Sequence, residues 1–257
     1  MAMVPTTESL AHSKLETLSK KDYVLQRLQP RLRDVYYLHL KDLAELVRDL
    51  ASKSGGEVFD YGCGGAPYRS FFTHCKRYVG ADIQAGPAVD QVLLADGTTG
   101  EPEASYDLVL STQVLEHIEN PEAYLGECYR ILRPGGRLIL TTHGMFEEHG
   151  CPYDFHRWTS RGLEEQLLKA GFLVVESQKL TTELRAYVQL NNQMIHHLKC
   201  PERPLLHIFL SIIRKVYCAV GVPCLNWFAD LFPHQAIIPA NQASSLYICV
   251  CVQGTKI

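Results

Sequence analysis

From Arg31 to Lys53 the apolar residues Leu32, Val35, Tyr36, Leu40, Leu43, Val47 and Leu50 recur at helical spacing. That pattern predicts one amphipathic helix, ended by Ser54-Gly55-Gly56. Short apolar runs then predict strands at Glu57–Tyr61, Tyr78–Ile83, Gln91–Ala95, Tyr106–Ser111, Arg137–Thr142 and Phe172–Gln178. Helical patterns separate them at Ala66–Cys75, Pro121–Leu132 and Thr159–Ala170. Pro121 suits a first turn, Thr159 an N-cap and Gly171 a C-terminal stop. One more strand, Ser245–Val252, comes after a long interval. Strands alternating with helices predict an α/β fold, its sheet mostly parallel and covered on both faces.

The interval is too long for a simple connection, so it reads as an insertion within a single domain spanning 1–257. The division is a lid helix at 31–54, a core at 55–180, a helical cap at 181–241 and the last strand at 242–257. The cap holds the longest apolar stretch, Leu205–Phe232, interrupted by Arg214, Lys215, Pro223 and Asn226. A membrane span needs about 20 apolar residues without such breaks. The stretch is therefore expected to form two buried or half-buried helices, with no transmembrane segment and peripheral membrane contact as the second choice.

Composition narrows the classes. Hydrophobic residues make up 46% and charged residues 21% of 257, which excludes a disordered or disulfide-scaffold chain. The net charge of -3 contains no basic run, so nucleic acid is not an expected partner. Nine cysteines, none spaced Cys-x-x-Cys, follow a polar start without a signal-like apolar core. They read as small hydrophobes in a reduced, cytoplasmic chain without a structural zinc site.

The sharpest motif lies directly after the first strand: Asp60-Tyr61-Gly62-Cys63-Gly64-Gly65-Ala66-Pro67. Glycines let the backbone turn tightly and approach a ligand. A dinucleotide fingerprint requires a third glycine where Pro67 stands, which disfavours a nicotinamide oxidoreductase. The pattern instead resembles the first motif of class I S-adenosylmethionine-dependent methyltransferases, with Ala66 replacing the last glycine. Tyr78-Val79-Gly80-Ala81-Asp82-Ile83, Ala95-Asp96-Gly97, Asp107–Ile118 and Leu132-Arg133-Pro134-Gly135-Gly136 continue the resemblance in order. It is nearest to a branch found in bacterial polysaccharide and secondary-metabolite pathways, and covers roughly Val35 to Gln178.

The resemblance implies a Rossmann-like, doubly wound seven-stranded sheet with an antiparallel last strand. It implies S-adenosylmethionine as cofactor and S-adenosylhomocysteine as product. The cofactor contacts would be Asp60, Gly62, Cys63, Gly64, Asp82, Ile83, Asp96, Gly97, Thr112, Gln113 and His117. Asp82 would take the ribose hydroxyls and Asp96 would face the adenine amine, both from the carboxyl ends of strands. The acceptor would be a small molecule, foremost a hydroxyl on a sugar or metabolite.

An oxygen nucleophile benefits from a general base, and histidine suits neutral pH. His149 is the first candidate and His143 the second, since both follow the fifth strand. Tyr153, Asp154, Arg157 and Trp158 would shape the acceptor pocket, although Asp154 and Arg157 could equally pair to hold the loop. Some methyltransferases of this kind hold a divalent ion through Glu-x-x-Glu-His. Gln113-x-x-Glu116-His117 lacks the first glutamate, so no metal is expected, although Glu116, His117 and His143 keep a metal-assisted reaction open. A non-catalytic cofactor-binding subunit of a partner enzyme is the remaining alternative.

Overall fold

The computed structural model describes residues 24–94, 96–199 and 201–257. The polar start and Ala95 lie outside them. Eight strands form one sheet: β1 Gly56–Tyr61, β2 Cys75–Asp82, β3 Gln91–Val92, β4 Tyr106–Thr112, β5 Leu132–His143, β6 Phe172–Thr182, β7 Ile237–Pro239 and β8 Tyr247–Lys256. Their order is β3-β2-β1-β4-β5-β8-β6-β7. Strands β1 to β5 pair in parallel, and β8 inserts antiparallel between β5 and β6. The sheet thus has one strand more than the expected seven: the three-residue β7, added to the edge against β6.

Successive strand residues feed opposite cores. Phe59, Val109, Leu138 and Leu140 pack on one face with Leu125 and Ile131 of α2 (Pro121–Ile131) and Leu163 and Leu167 of α3 (Ser160–Lys169). Val58, Leu108, Leu110 and Ile139 pack on the other, under α1 (Tyr37–Ser52). Both faces are buried, which explains continuous apolar runs in place of alternation. Cys249 and Cys251 fill the second core as apolar side chains.

Three expectations change. Residues 66–75 form no α-helix; they wind one 3₁₀ turn, Arg69–Phe71, because Ala66 sits at φ 45° and Pro67 follows. The supposed lid helix is a core element. Leu43, Val47 and Leu50 of α1 are buried against the sheet, and its first turn packs Tyr37 and Leu38 on Val188 and Ala229.

The third change concerns the cap. It begins with α4 (Glu183–His196), whose Arg185 is 1% exposed and pairs with Asp42 of α1 at 2.5 Å. Then α5 (Pro204–Val216), a π turn (Tyr217–Gly221) and α6 (Val222–Asp230) run on as one helix. Pro223 does not break it, because the wider π turn precedes the proline and absorbs its missing N–H. The 27-residue helix Pro204–Asp230 is long and apolar enough to cross a membrane by length and composition. Instead of two buried or half-buried helices there is one continuous helix: α5 buries no residue and is half-buried only along His207, Leu210, Ser211 and Arg214, while α6 buries Val222, Asn226 and Ala229.

Candidate active site

The carboxyl ends of β1, β2 and β4 open onto a cleft of about 970 Å³. Its first end is built by the glycine loop. Gly62 N and Cys63 N both donate to Ala81 O at 2.8 and 2.9 Å, folding the loop over the tip of β2. Gly62 has φ 81°, and a Cβ there would lie 2.6 Å from Val114 Cγ2, so glycine is required twice over. Asp82 at the end of β2 accepts from Gly64 N at 2.8 Å and from Gln84 N at 3.1 Å.

Of the expected cofactor contacts, Gly62, Asp82, Ile83, Asp96, Gly97, Gln113 and His117 line the cleft. Asp60, Cys63, Gly64 and Thr112 do not. Asp60 is buried beneath the loop and accepts from Tyr78 Oη at 2.6 Å. Burial pushes its pKa up to about 7 against the pull of Tyr78 and Arg69. Cys63 is 5% exposed, and Thr112 pairs with Thr141 in the sheet. Gly64 serves the site by donating to Asp82.

Asp96 is not at a strand end, since β3 stops at Val92. It sits in a turn and accepts from Thr98 N at 3.0 Å and Thr98 Oγ1 at 2.7 Å. Gln113 adopts φ 57° and turns the chain from β4 into the 3₁₀ turn Leu115–His117. Its amide is anchored on Thr141 Oγ1 at 3.1 Å.

The other end of the cleft carries four histidines: His39, His117, His143 and His149. The rings of His143 and His149 lie 5.0 Å apart, those of His117 and His149 4.7 Å, and those of His39 and His143 5.3 Å. Phe146 stacks flat on His143 at 3.9 Å. Burial drives His39 down to about 3 and His143 well below the ordinary histidine value, so both rings are neutral. His149 is lowered by burial and then by His117, while Asp154 pulls the other way. Its Nδ1 faces Glu147 O at 3.2 Å and Asp154 Oδ2 at 3.5 Å, which leaves Nε2 as the free acceptor.

Glu116 lies behind this wall, fully buried, with Oε2 accepting from Thr142 Oγ1 at 2.8 Å. Its Oε1 has no hydrogen-bond partner among the described residues and stands 3.3 Å from His143 Nε2. Burial raises its pKa. Glu116, His143 and His149 place one ligand atom each within 4.8 Å of one another. This triad differs from the sequence-based set, since His149 takes the place of His117, whose Nδ1 is engaged by Tyr153 O at 2.5 Å.

Among the expected acceptor contacts only Tyr153 lines the cleft. Asp154 and Arg157 pair with each other at 2.6 and 2.7 Å. Arg157 also donates to the carbonyls of Phe146 and Glu147, so the pair holds the loop that carries His149. Arg157 keeps the Asp154 carboxyl at about 2. Trp158 packs against the core, and its backbone N–H donates to His143 O at 2.9 Å. Sequence reasoning did not assign Phe146, Glu147, Leu93 or Tyr124 to the wall. Only position after β5 could have pointed to Phe146 and Glu147.

The donor set suits S-adenosylmethionine. Asp82 offers two unused acceptor positions, and Ile83, Leu93, Val114 and Ile118 flank an apolar slot. A Cβ at Gly97 would meet nothing within 4 Å, so the turn leaves room for a ligand.

Comparison with known proteins agrees. A family described as "Methyltransferase domain" matches residues 33–177, more than half of the chain. The ubiquinone biosynthesis O-methyltransferase of Cereibacter sphaeroides is 32% identical over 127 residues, covering 41% of this chain and 50% of its own. The enzyme of the same name from Nitrosococcus oceani is 26% identical over 182 residues, covering 58% and 74%. The chain spans about half the length of most of the curated relatives it matches. Among solved structures, the [4+2]-cyclase SpnF superposes over 100% of this chain and 98% of its own with a TM-score of 0.55 at 15% identity. That likeness concerns the fold alone.

Proposed function

Because the chain belongs to the methyltransferase domain family, we propose that it methylates a hydroxyl on a flat, largely apolar small molecule, using S-adenosylmethionine and His149 as general base. The observation that carries the base assignment is the tethering of His149. Its Nδ1 is held by Glu147 O and Asp154, its ring is kept neutral by burial, and it lines the cleft. Bound S-adenosylmethionine supplies a methyl on an activated sulfonium. Asp82 then orients the ribose, and the turn around Asp96 and Gly97 borders the adenine. His149 receives the hydroxyl proton at Nε2 as the oxygen attacks in line. Tyr36, Phe146, Tyr153 and Phe155 make this end of the cleft aromatic, which favours a planar ring over a sugar. The relatives named O-methyltransferases support oxygen as the acceptor atom. Free thiols at all eight described cysteines support a reducing, cytoplasmic setting.

Transfer from labelled S-adenosylmethionine to a panel of phenols and sugars tests the reading. His149→Asn should lower turnover on the order of 100-fold or more with cofactor affinity kept. Near-normal turnover would remove His149 as base.

A second reading rests on the unpartnered Glu116 Oε1 beside His143 and His149, a set that could hold a divalent cation. Activity lost in chelator and restored by magnesium or zinc would favour it. Full activity after chelation and dialysis excludes it.

A further inference from the structure

The helix Pro204–Asp230 is inside out for a helix of a water-soluble domain. Its inner face carries buried polar groups beside Val222 and Ala229. Tyr217 Oη donates to Asn192 Oδ1 at 2.7 Å and accepts from Asn191 Nδ2 at 2.6 Å. Asn226 accepts from Asn192 at 2.9 Å and donates to Leu32 O and Asp34 O at 2.7 and 3.1 Å. Its outer face is a stripe at helical spacing: Leu205, Phe209, Ile212, Val216, Val220 and Trp227. Leu205 is 85% exposed and Phe209 59%, far from the singly scattered apolar residues of an ordinary surface.

Charge identifies what covers this stripe. Residues 199–216 hold Lys199, Arg203, Arg214 and Lys215 against Glu202, a net +3 in a chain of net -3, leaving -6 elsewhere. None of the four cations has an ion-pair partner among the described residues. Arg214 and Lys215 stand close to the midpoint of the helix. Lys215 is exposed beside the stripe, whereas Arg214 is half-buried on the side of the helix away from it. Anionic headgroups satisfy these cations, and the aliphatic stem of Lys215 can lie along the apolar face. The polar bonds from Tyr217 and Asn226 hold the helix flat on the domain, which a crossing helix would have to break.

We propose that this helix docks the protein on an anionic phospholipid bilayer, lying within the headgroup interface with its outer face in the acyl boundary. The anchor starts a few residues after His197, whose Nε2 contacts Glu147 on the cleft rim at 3.2 Å, so anchor and cleft share one end of the cap. Docking does not depend on which acceptor the cleft takes.

Vesicle co-sedimentation of the full chain tests the proposal. Binding is expected to phosphatidylcholine–phosphatidylglycerol vesicles and to be weaker on phosphatidylcholine alone. Ile208→Glu with Ile212→Glu should weaken partitioning on the order of 100-fold, and Arg214→Glu with Lys215→Glu at least roughly tenfold on the anionic vesicles only. All four positions are on a helix half that buries nothing, so cofactor affinity by calorimetry should stay unchanged. Trp227 should shift its emission to the blue with vesicles, and Trp227→Phe should abolish the shift. Absence of binding to both vesicle types overturns the proposal. So does a soluble dimer that the Ile208→Glu/Ile212→Glu pair dissociates, and so does resistance to alkaline carbonate extraction from cells, which would mean a crossing helix.

Discussion

Replacing Asp82 by alanine tests the proposal that its carboxylate recognises the cofactor ribose. An ionised carboxylate offers about four acceptor positions. Two are used by Gly64 N at 2.8 Å and Gln84 N at 3.1 Å, which fix the carboxylate and the glycine loop against each other. The two left over match the vicinal hydroxyls of a ribose. Each charge-assisted hydrogen bond contributes about 1.5–3 kcal/mol, so losing both costs at least about 3 kcal/mol, or roughly 150-fold in Kd. Asp82→Asn keeps the shape but turns one acceptor into a donor facing a backbone N–H, and should weaken binding by at least roughly tenfold. Titration calorimetry with S-adenosylmethionine and S-adenosylhomocysteine measures both, with thermal unfolding reporting any loosening of the loop. A Kd within about threefold of the parent in a folded Asp82→Ala protein would refute the assignment, since even one lost charge-assisted bond exceeds that.

If His149 is the base, as proposed, it sets the acidic limb of the pH dependence of turnover. Burial and His117 lower its pKa, so the neutral base persists below the usual histidine range, and activity falls only as pH drops through that lowered value. Asp154→Asn removes the carboxylate that favours the charged ring, so it should move the acidic limb of the pH–rate profile lower still, and a limb moving up would contradict the tether. Arg185→Met leaves Asp42 buried and unpaired, which should cost about 3–5 kcal/mol by urea titration; a loss under about 1 kcal/mol would mean the pair does not tie α4 to α1. Gly62→Ala should destabilise by about 1–3 kcal/mol through its left-handed backbone alone, more with the Val114 contact, and adding Val114→Ala should recover only the second part.

The core strands were legible because both faces of the sheet are buried, so each appears as an unbroken apolar run wherever the chain enters the interior. The glycine loop was legible because backbone close to a ligand restricts residue choice. Asp82 could be placed from its strand, whereas Asp96 could not, since β3 ends four residues earlier and a turn carries it. The residues 66–75 looked helical by composition, yet Ala66 in the left-handed region and Pro67 left room for a single turn. In the loop after β5 the residue types pointed to chemistry, but pairing decided their roles: Arg157 and Asp154 bond each other and hold His149 in place.

Alone, the amino-acid sequence determined the α/β alternation, the tight turn at Gly62 and the acidic residue at the tip of β2, because these depend on local backbone freedom and periodicity. Only the tertiary structure decided that His39 of α1 joins His117, His143 and His149 in one wall, since they come from separate elements. It also decided the fate of Leu205–Phe232. An apolar run is equally compatible with a buried core and with an exposed face; what turned it outward is the set of polar partners for Tyr217, Asn226 and Asp230, which lie on the domain. Hydrogen bonds to distant residues, with Val222 and Ala229 packed beside them, define the inner face, and the large apolar residues of the stripe were left on the other.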